Sequence, residues 1–222
     1  MTFYPIFLDL TKRPCAVVGG GVVAERKVKS LIIAGARVTV ISPRLSKGLK
    51  ELVAKKKITH VKGSFEAGSL KGFFLVISAA SAKEVNERVA DEAREAGAIV
   101  NVVDSPLLCD FLVPSLVSRG DLMIAVSTSG KFPALAKKMR QELEKLYGPE
   151  YGLYVELLSA IRNKLLKDKR KYDKKERLFN DLFASDIPGI LRSGAVKVLD
   201  TVLVDVLGRG YTLARLGVKI KK

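Results

Sequence analysis

Cys15-Ala16-Val17-Val18-Gly19-Gly20-Gly21-Val22-Val23-Ala24-Glu25-Arg26-Lys27 is an apolar run that stops at three glycines and opens into a helical pattern. A strand that ends in glycine and turns at once into a helix makes an anion site. The first N–H groups of the helix have no intrahelical partner, and they sit at the positive end of its dipole. Gly19, Gly21 and Ala24 fit the G-x-G-x-x-G/A spacing of a dinucleotide-binding turn. The alternative for the same residues is a plain tight turn. The strand before and the helix after supply the context that the cofactor reading requires.

Around this turn, residues 14–104 alternate short β-branched runs with helical patterns. Strands are expected at Cys15–Val18, Arg37–Ile41, Ile58–Val61, Phe73–Ser78 and Ala98–Val102, and helices near Val22–Ala34, Ser46–Lys56 and Glu84–Ala96. Gly35 and Gly97 stand where helices should stop. The alternation predicts an α/β fold, a Rossmann-like parallel sheet with helices on both faces and a ligand crevice at the carboxyl ends of the strands. After Asp110 the pattern changes. Leu122–Val126 reads as one more strand, and Pro133 opens a helix that Gly148-Pro149 closes. From Tyr151 the chain reads as almost all helix, with breaks near Ile187-Pro188-Gly189 and Gly208. The expected plan is a nucleotide-binding domain over 1–112, a linking segment over 113–149 and a basic helical domain over 150–222, the last two forming a short segment followed by a C-terminal helical domain.

The 222 residues are 48% hydrophobic, enough to fill a core, and carry a formal charge of +16. The basic excess is +6 over 1–112, +2 over 113–150 and +8 over 151–222. Such charge fits nucleic acid, an anionic membrane surface or a polyanionic small molecule. Aromatic residues do not interleave the basic ones, and zinc-finger spacing is absent, which argues against nucleic acid. Lys55-Lys56-Lys57 and the run from Lys167 to Lys175 read as solvated surface. No apolar run approaches the ~18 residues of a membrane span, and no secretory signal is visible. Cys15 and Cys109 read as small core residues, which suits a reducing cytoplasm. His60 is the sole histidine, within a strand and away from the crevice. With two distant cysteines it makes no metal site.

Four further stretches can carry chemistry. A dinucleotide fold often places Asp or Glu about 20 residues past the glycine turn to bind the ribose 2′-OH. Here that region is Ser42-Pro43-Arg44. Ser42 can bond a ribose hydroxyl and Arg44 can accept a 2′-phosphate, so NAD and NADP are both open. Arg44 reads equally as an exposed cation. Ser78-Ala79-Ala80 closes the fourth strand. Ala79 and Ala80 leave room for a cofactor, or are ordinary packing. Asn101 and Asp104 belong to the stretch that closes the fifth strand and fall at its carboxyl edge, where a carboxylate can take a proton or orient a substrate N–H. Asp before Ser-Pro is also a common turn former. Ser127, Thr128, Ser129 and Lys131 form a second polar loop able to hold a carboxylate, or a simple helix cap. Ala125 stands where a nucleoside-triphosphate loop would need glycine.

The order Pro5-Ile6-Phe7, Val17 to Lys27, Asn101-Val102-Val103-Asp104, Pro114-Ser115 and Ala125-Val126-Ser127-Thr128-Ser129-Gly130 resembles the precorrin-2 dehydrogenase module of siroheme synthases. The resemblance covers nearly all of the chain and is most specific over residues 5–140. It implies NAD-dependent oxidation of precorrin-2 to sirohydrochlorin and, in some members, insertion of Fe²⁺ to give siroheme. It implies a homodimer whose central segments interlock, so that 113–149 is a dimerisation segment. It implies that Asp104 matches the catalytic aspartate and that Thr128 lies in the substrate loop. It favours NAD over NADP, with Gly19, Gly20, Gly21, Val22, Val23, Pro43 and Arg44 at the cofactor. On this resemblance the helical domain is expected to close the chain, without the methyltransferase module found fused in some siroheme synthases. Precorrin-2 carries eight carboxylates, which gives the basic charge a purpose. Two other readings compete: an NAD-sensing regulator acting on nucleic acid, and a tetrapyrrole carrier whose glycine turn is only packing.

Overall fold

The computed structural model describes residues 3–167 and 172–220, so the middle of the basic run from Lys167 to Lys175 lies outside the described residues. Contacts divide the chain into two compact units, Met1–Val113 and Pro114–Lys222.

The first unit is built on five parallel strands, β1 (Pro14–Val18), β2 (Arg37–Ser42), β3 (Thr59–Lys62), β4 (Leu75–Ser78) and β5 (Ile99–Val102), in the order β3-β2-β1-β4-β5. Side chains alternate across each strand, and the two faces fill with different partners. Cys15, Val17, Val38, Val40, Leu75 and Ile77 face Ala24, Val28 and Leu31 of helix α1 (Val22–Ile33) and Leu49 of α2 (Lys47–Ala54). Ala16, Val18, Ile41, Val76 and Val100 face Val89, Ala90 and Ala93 of α3 (Lys83–Glu95). Both faces of the sheet are therefore covered. Each buried Val, Leu or Ile stabilises by roughly 1.5–3 kcal/mol in area bookkeeping, which is why these short strands suffice. Gly35 and Gly97 follow α1 and α3 with φ of +78° and +75°, the left-handed stop that glycine permits.

β1 lies between β2 and β4, so the chain leaves β1 and β4 toward opposite faces. In sheets of this order a ligand crevice belongs there, at the carboxyl ends of the strands. The start of α2 is tied to α1 beside it. The Glu25 carboxylate accepts from Lys29 Nζ at 2.5 Å and from the Ser46 hydroxyl at 2.6 Å, and Ser46 also caps α2. The Lys29 bond, then the Ser46 bond, hold the Glu25 carboxyl below its ordinary range. A depressed carboxyl contributes stability above its unfolded pKa, lost as pH falls through the folded value. Glu25→Gln is expected to remove that part of the acid-limb loss in urea melts. An unchanged acid limb would count against the linkage.

The second unit opens with a hairpin of β6 (Ser115–Arg119) and β7 (Leu122–Val126), turned at Gly120-Asp121 and packed by α4 (Pro133–Leu146). β6 is an addition to the sequence reading, which expected only Leu122–Val126 as a strand in this segment. Arg119 holds the end of α4, donating to the Tyr147 and Glu144 carbonyls at 2.9 and 3.3 Å. Helices α5 (Glu150–Leu166), α6 (Tyr172–Ala184), α7 (Ile187–Ser193), α8 (Val196–Leu207) and α9 (Leu213–Leu216) follow. Their core is made by helical repeats such as Leu157, Ile161 and Leu165 against Leu199, Leu203 and Leu207. The break expected near Ile187-Pro188-Gly189 lies just before it, at Ser185-Asp186. Asp186 caps α7 by accepting from the Gly189 N–H at 3.0 Å, and Pro188 sits in the first turn, where its missing N–H costs nothing. Among the described residues no helix is long and apolar enough to cross a membrane.

Candidate functional site

The three glycines of the turn after β1 do three different things. Gly19 has φ +119°, and a Cβ there would lie 2.4 Å from the Ala79 carbonyl oxygen. This is the close approach of the β1 and β4 ends. Gly20 is pressed against the turn after β2, where a Cβ would meet the Arg44 carbonyl oxygen at 1.9 Å and Ser42 Oγ at 2.4 Å. Gly21, the N-cap of α1, has nothing within 4 Å of a would-be Cβ, so its bareness faces open space. No side chain caps α1. Its first N–H groups have no partner within the helix. Val22 is 79% exposed there, and Val23 is exposed beside it. An uncapped helix start, a bare glycine and uncovered apolar residues together fit a pyrophosphate and its flanking sugar.

The rim is set by residues that the sequence singled out and by some that it did not. Ser42 is 2% exposed and donates its hydroxyl to the Arg44 carbonyl at 2.7 Å, which shapes the turn carrying exposed Pro43 and Arg44. His60 lies closer to this rim than expected. Its Nε2 is 2.9 Å from the Ser42 carbonyl oxygen and buttresses the end of β2. Ala79 and Ala80, half-buried, are fixed by Asn86 of α3, which sequence reasoning missed. Asn86 accepts from the Ser78 hydroxyl at 2.6 Å and donates to the Ala80 carbonyl at 3.1 Å. An Asn on an otherwise apolar helix face was the available signal.

Asn101 is interior rather than at the rim, 6% exposed. Its amide donates to the Phe111 carbonyl at 2.9 Å and to Cys109 Sγ at 3.5 Å, so it braces the segment after β5. Asp104 is exposed on that segment, with φ +59°. Asp tolerates this left-handed geometry better than most residues. Burial pushes the Cys15 thiol up to about 11 and raises that of Cys109, which keeps both protonated and unreactive. A groove lined by Phe65, Lys71, Arg88 and Glu92 opens on the α3 face, holding none of the residues above.

In the second unit, the polar loop before α4 is held by its own hydroxyls. Ser127 Oγ accepts from the Ser129 N–H and Thr128 Oγ1 from the Phe132 N–H, both at 3.1 Å. Each hydroxyl therefore keeps its own proton to donate. Ser129 and Gly130 are both left-handed, at φ +52° and +78°, and Ser127, Ser129 and Lys131 are exposed.

These features define an α/β protein that binds a nicotinamide dinucleotide, and comparison with known proteins agrees. An NAD(P)-binding family model matches residues 6–115, and the model described as sirohaem biosynthesis protein central matches residues 119–146. The siroheme synthase of Methylobacillus flagellatus is 41% identical over 212 residues, covering 95% of this chain and 45% of that one. That of Photobacterium profundum is 37% identical over 194 residues, covering 87% and 41%. The chain thus spans less than half the length of these curated relatives. A solved structure titled SirC, precorrin-2 dehydrogenase superposes with a TM-score of 0.69 at 28% identity, covering 81% of this chain and 89% of that one. The chain belongs to the family of siroheme synthase dehydrogenase modules and precorrin-2 dehydrogenases.

Proposed function

We propose that this chain oxidises precorrin-2 to sirohydrochlorin with NAD⁺ as acceptor. The observation that carries the reading is the glycine turn. Two of its glycines are consumed by packing, and the third is bare toward open space at an uncapped helix start. The family and the likeness to a precorrin-2 dehydrogenase support the substrate.

Gly21, Val22 and Val23 hold the pyrophosphate with backbone N–H groups. Pro43 and Arg44 border the adenosine ribose, with Ser42 and Gly20 setting their turn. Ala79 and Ala80 leave space beside it. NAD⁺ held there supplies the hydride acceptor. Asp104 takes the accompanying proton on a carboxylate oxygen, or fixes the macrocycle through its N–H groups. Asn101 braces the segment that presents Asp104. Ser127, Thr128, Ser129 and Lys131 bind substrate carboxylates by hydroxyl donation and charge. Fe²⁺, in members that insert it, is a second substrate in a separate step without hydride transfer, in which Asp104 could take the pyrrole protons that the metal displaces.

The plan 1–112, 113–149 and 150–222 goes with a homodimer formed through the middle segment. Leu116 and Met123 on the hairpin and Leu135, Met139 and Leu146 on α4 are exposed, an apolar set that a second copy would cover. A monomer in sedimentation would count against this. Two free, buried cysteines suit a cytoplasmic enzyme.

Purified protein, incubated anaerobically with precorrin-2, is expected to yield sirohydrochlorin with NAD⁺ and much more slowly with NADP⁺. A preference for NADP⁺ would overturn the cofactor assignment and point to Arg44 as the 2′-phosphate partner.

A further inference from the structure

The turn between β2 and α2 carries Pro43 and Arg44, both exposed, and it is held at three places. The Ser42 hydroxyl donates to the Arg44 carbonyl at 2.7 Å, and the Ser46 N–H donates to the Gly20 carbonyl at 2.8 Å. The third hold comes from α1. Glu25, half-buried in the first turn of that helix, accepts from the Ser46 hydroxyl on Oε2 at 2.6 Å. Its other oxygen, Oε1, takes Lys29 Nζ at 2.5 Å. The carboxylate also accepts from the Gly48 N–H and sits tight against that residue, where a Cβ would come within 2.2 Å of Oε1. Gly48 stands inside α2, where glycine is a poor helix former, and its φ is not positive. The backbone therefore does not call for glycine there, whereas the seat of the Glu25 carboxylate does. Glu25 thus ties the helix that starts at the glycine turn to the turn that borders the adenosine ribose.

We propose that Glu25 is a positioning residue for the adenosine end of the cofactor: through Ser46 and Gly48 its carboxylate fixes the Pro43–Arg44 turn in the form that receives the ribose. This rests on the reading of the cofactor site given above. A turn already held in its bound form spares NAD⁺ the cost of ordering it. The first turn of α1 then serves the cofactor twice, with its N–H groups at the pyrophosphate and with the Glu25 side chain at the wall beside the ribose. Without the tether the turn keeps its bonds to Ser42 and Gly20, so the loss falls on binding more than on folding.

The test is calorimetric titration of the whole chain with NAD⁺ and with ADP-ribose, which lacks the nicotinamide. Glu25→Ala is expected to raise both dissociation constants about 10-fold, by the same factor for each. Glu25→Gln keeps polar atoms for Ser46 and Gly48 and should return to within about threefold of the parent. Lys29→Met removes only the ion pair and should stay within about twofold. In the Ser46→Ala background Glu25→Ala should cost less than about threefold, because the partner it acts through is gone. In turnover the loss should fall on KM for NAD⁺ rather than on kcat. Unaltered affinity in folded Glu25→Ala, a loss with NAD⁺ that ADP-ribose does not share, or equal losses for Glu25→Gln and Glu25→Ala overturns the proposal. A parent chain that binds neither ligand would instead sink the cofactor reading. If Glu25→Ala does not fold, Gly48→Ala, which pushes the carboxylate off its seat, takes its place and should weaken both ligands alike.

Discussion

Replacing Asp104 by Ala is expected to lower precorrin-2 oxidation by about 10²–10⁴-fold, the scale of a lost general base. The substitution has a second cost. Asp104 has φ +59°, and Ala lacks the short polar side chain that helps Asp accept left-handed backbone, so a loss of about 1 kcal/mol in stability accompanies it. A drop of that size moves the melting point by only a few degrees and leaves the protein folded at room temperature. Asp104→Asn avoids the confusion. Asn accepts the same backbone and keeps a hydrogen-bond acceptor, but it is a poor base. If Asp104 removes a proton, Asn and Ala should be similarly inactive. If it orients the macrocycle through pyrrole N–H groups, Asn should keep a substantial part of the rate. Near-normal turnover by folded Asp104→Ala, read as sirohydrochlorin formed per minute, would remove Asp104 from the chemistry.

The glycine series should separate folding from binding within three consecutive residues. Gly19→Ala puts a methyl 2.4 Å from the Ala79 carbonyl oxygen on backbone with φ +119°, and Gly20→Ala puts one 1.9 Å from the Arg44 carbonyl oxygen. Both collisions are with backbone, which cannot swing away as a side chain can. Each should cost on the order of 3–5 kcal/mol, a large part of the stability of a typical domain. Gly21→Ala is different. Its φ of −82° and ψ of −171° suit any residue, and nothing lies within 4 Å. The entropy gained from a stiffer unfolded chain, about 0.4–1 kcal/mol, roughly offsets the loss of a favoured N-cap residue. Melting should be almost unchanged. The methyl, however, fills the space a pyrophosphate needs, and NAD⁺ should bind about 10–100-fold more weakly, roughly 1.4–2.8 kcal/mol. Unaltered NAD⁺ affinity in folded Gly21→Ala would contradict the placement of the cofactor.

Much of the first unit was legible in the sequence because its strands are short β-branched runs and its helices stop at Gly35 and Gly97. Both signals are local. The hairpin strand β6 was not. Ser115-Leu116-Val117-Ser118-Arg119 buries only Val117, so the alternation is too weak to read. Pro188 marked the break between helices because a proline, unwelcome in a helix interior, is accommodated in a first turn. At the site, the turn was visible but the division of labour within it was not. Gly19 and Gly20 answer to Ala79 and Arg44, which are distant in sequence. Ser42 and Asn101 were read as groups open to a ligand, but both are buried and bond the chain around them, which only the tertiary packing reveals. Asn86 became apparent only when α3 was placed against the end of β4.

The central claim is most directly tested by anaerobic turnover of the purified chain with precorrin-2 and NAD⁺, scoring NADH and sirohydrochlorin together. The account predicts that the two appear in equal amounts and that neither forms without the other. Folded protein that binds the tetrapyrrole but produces no NADH would contradict it.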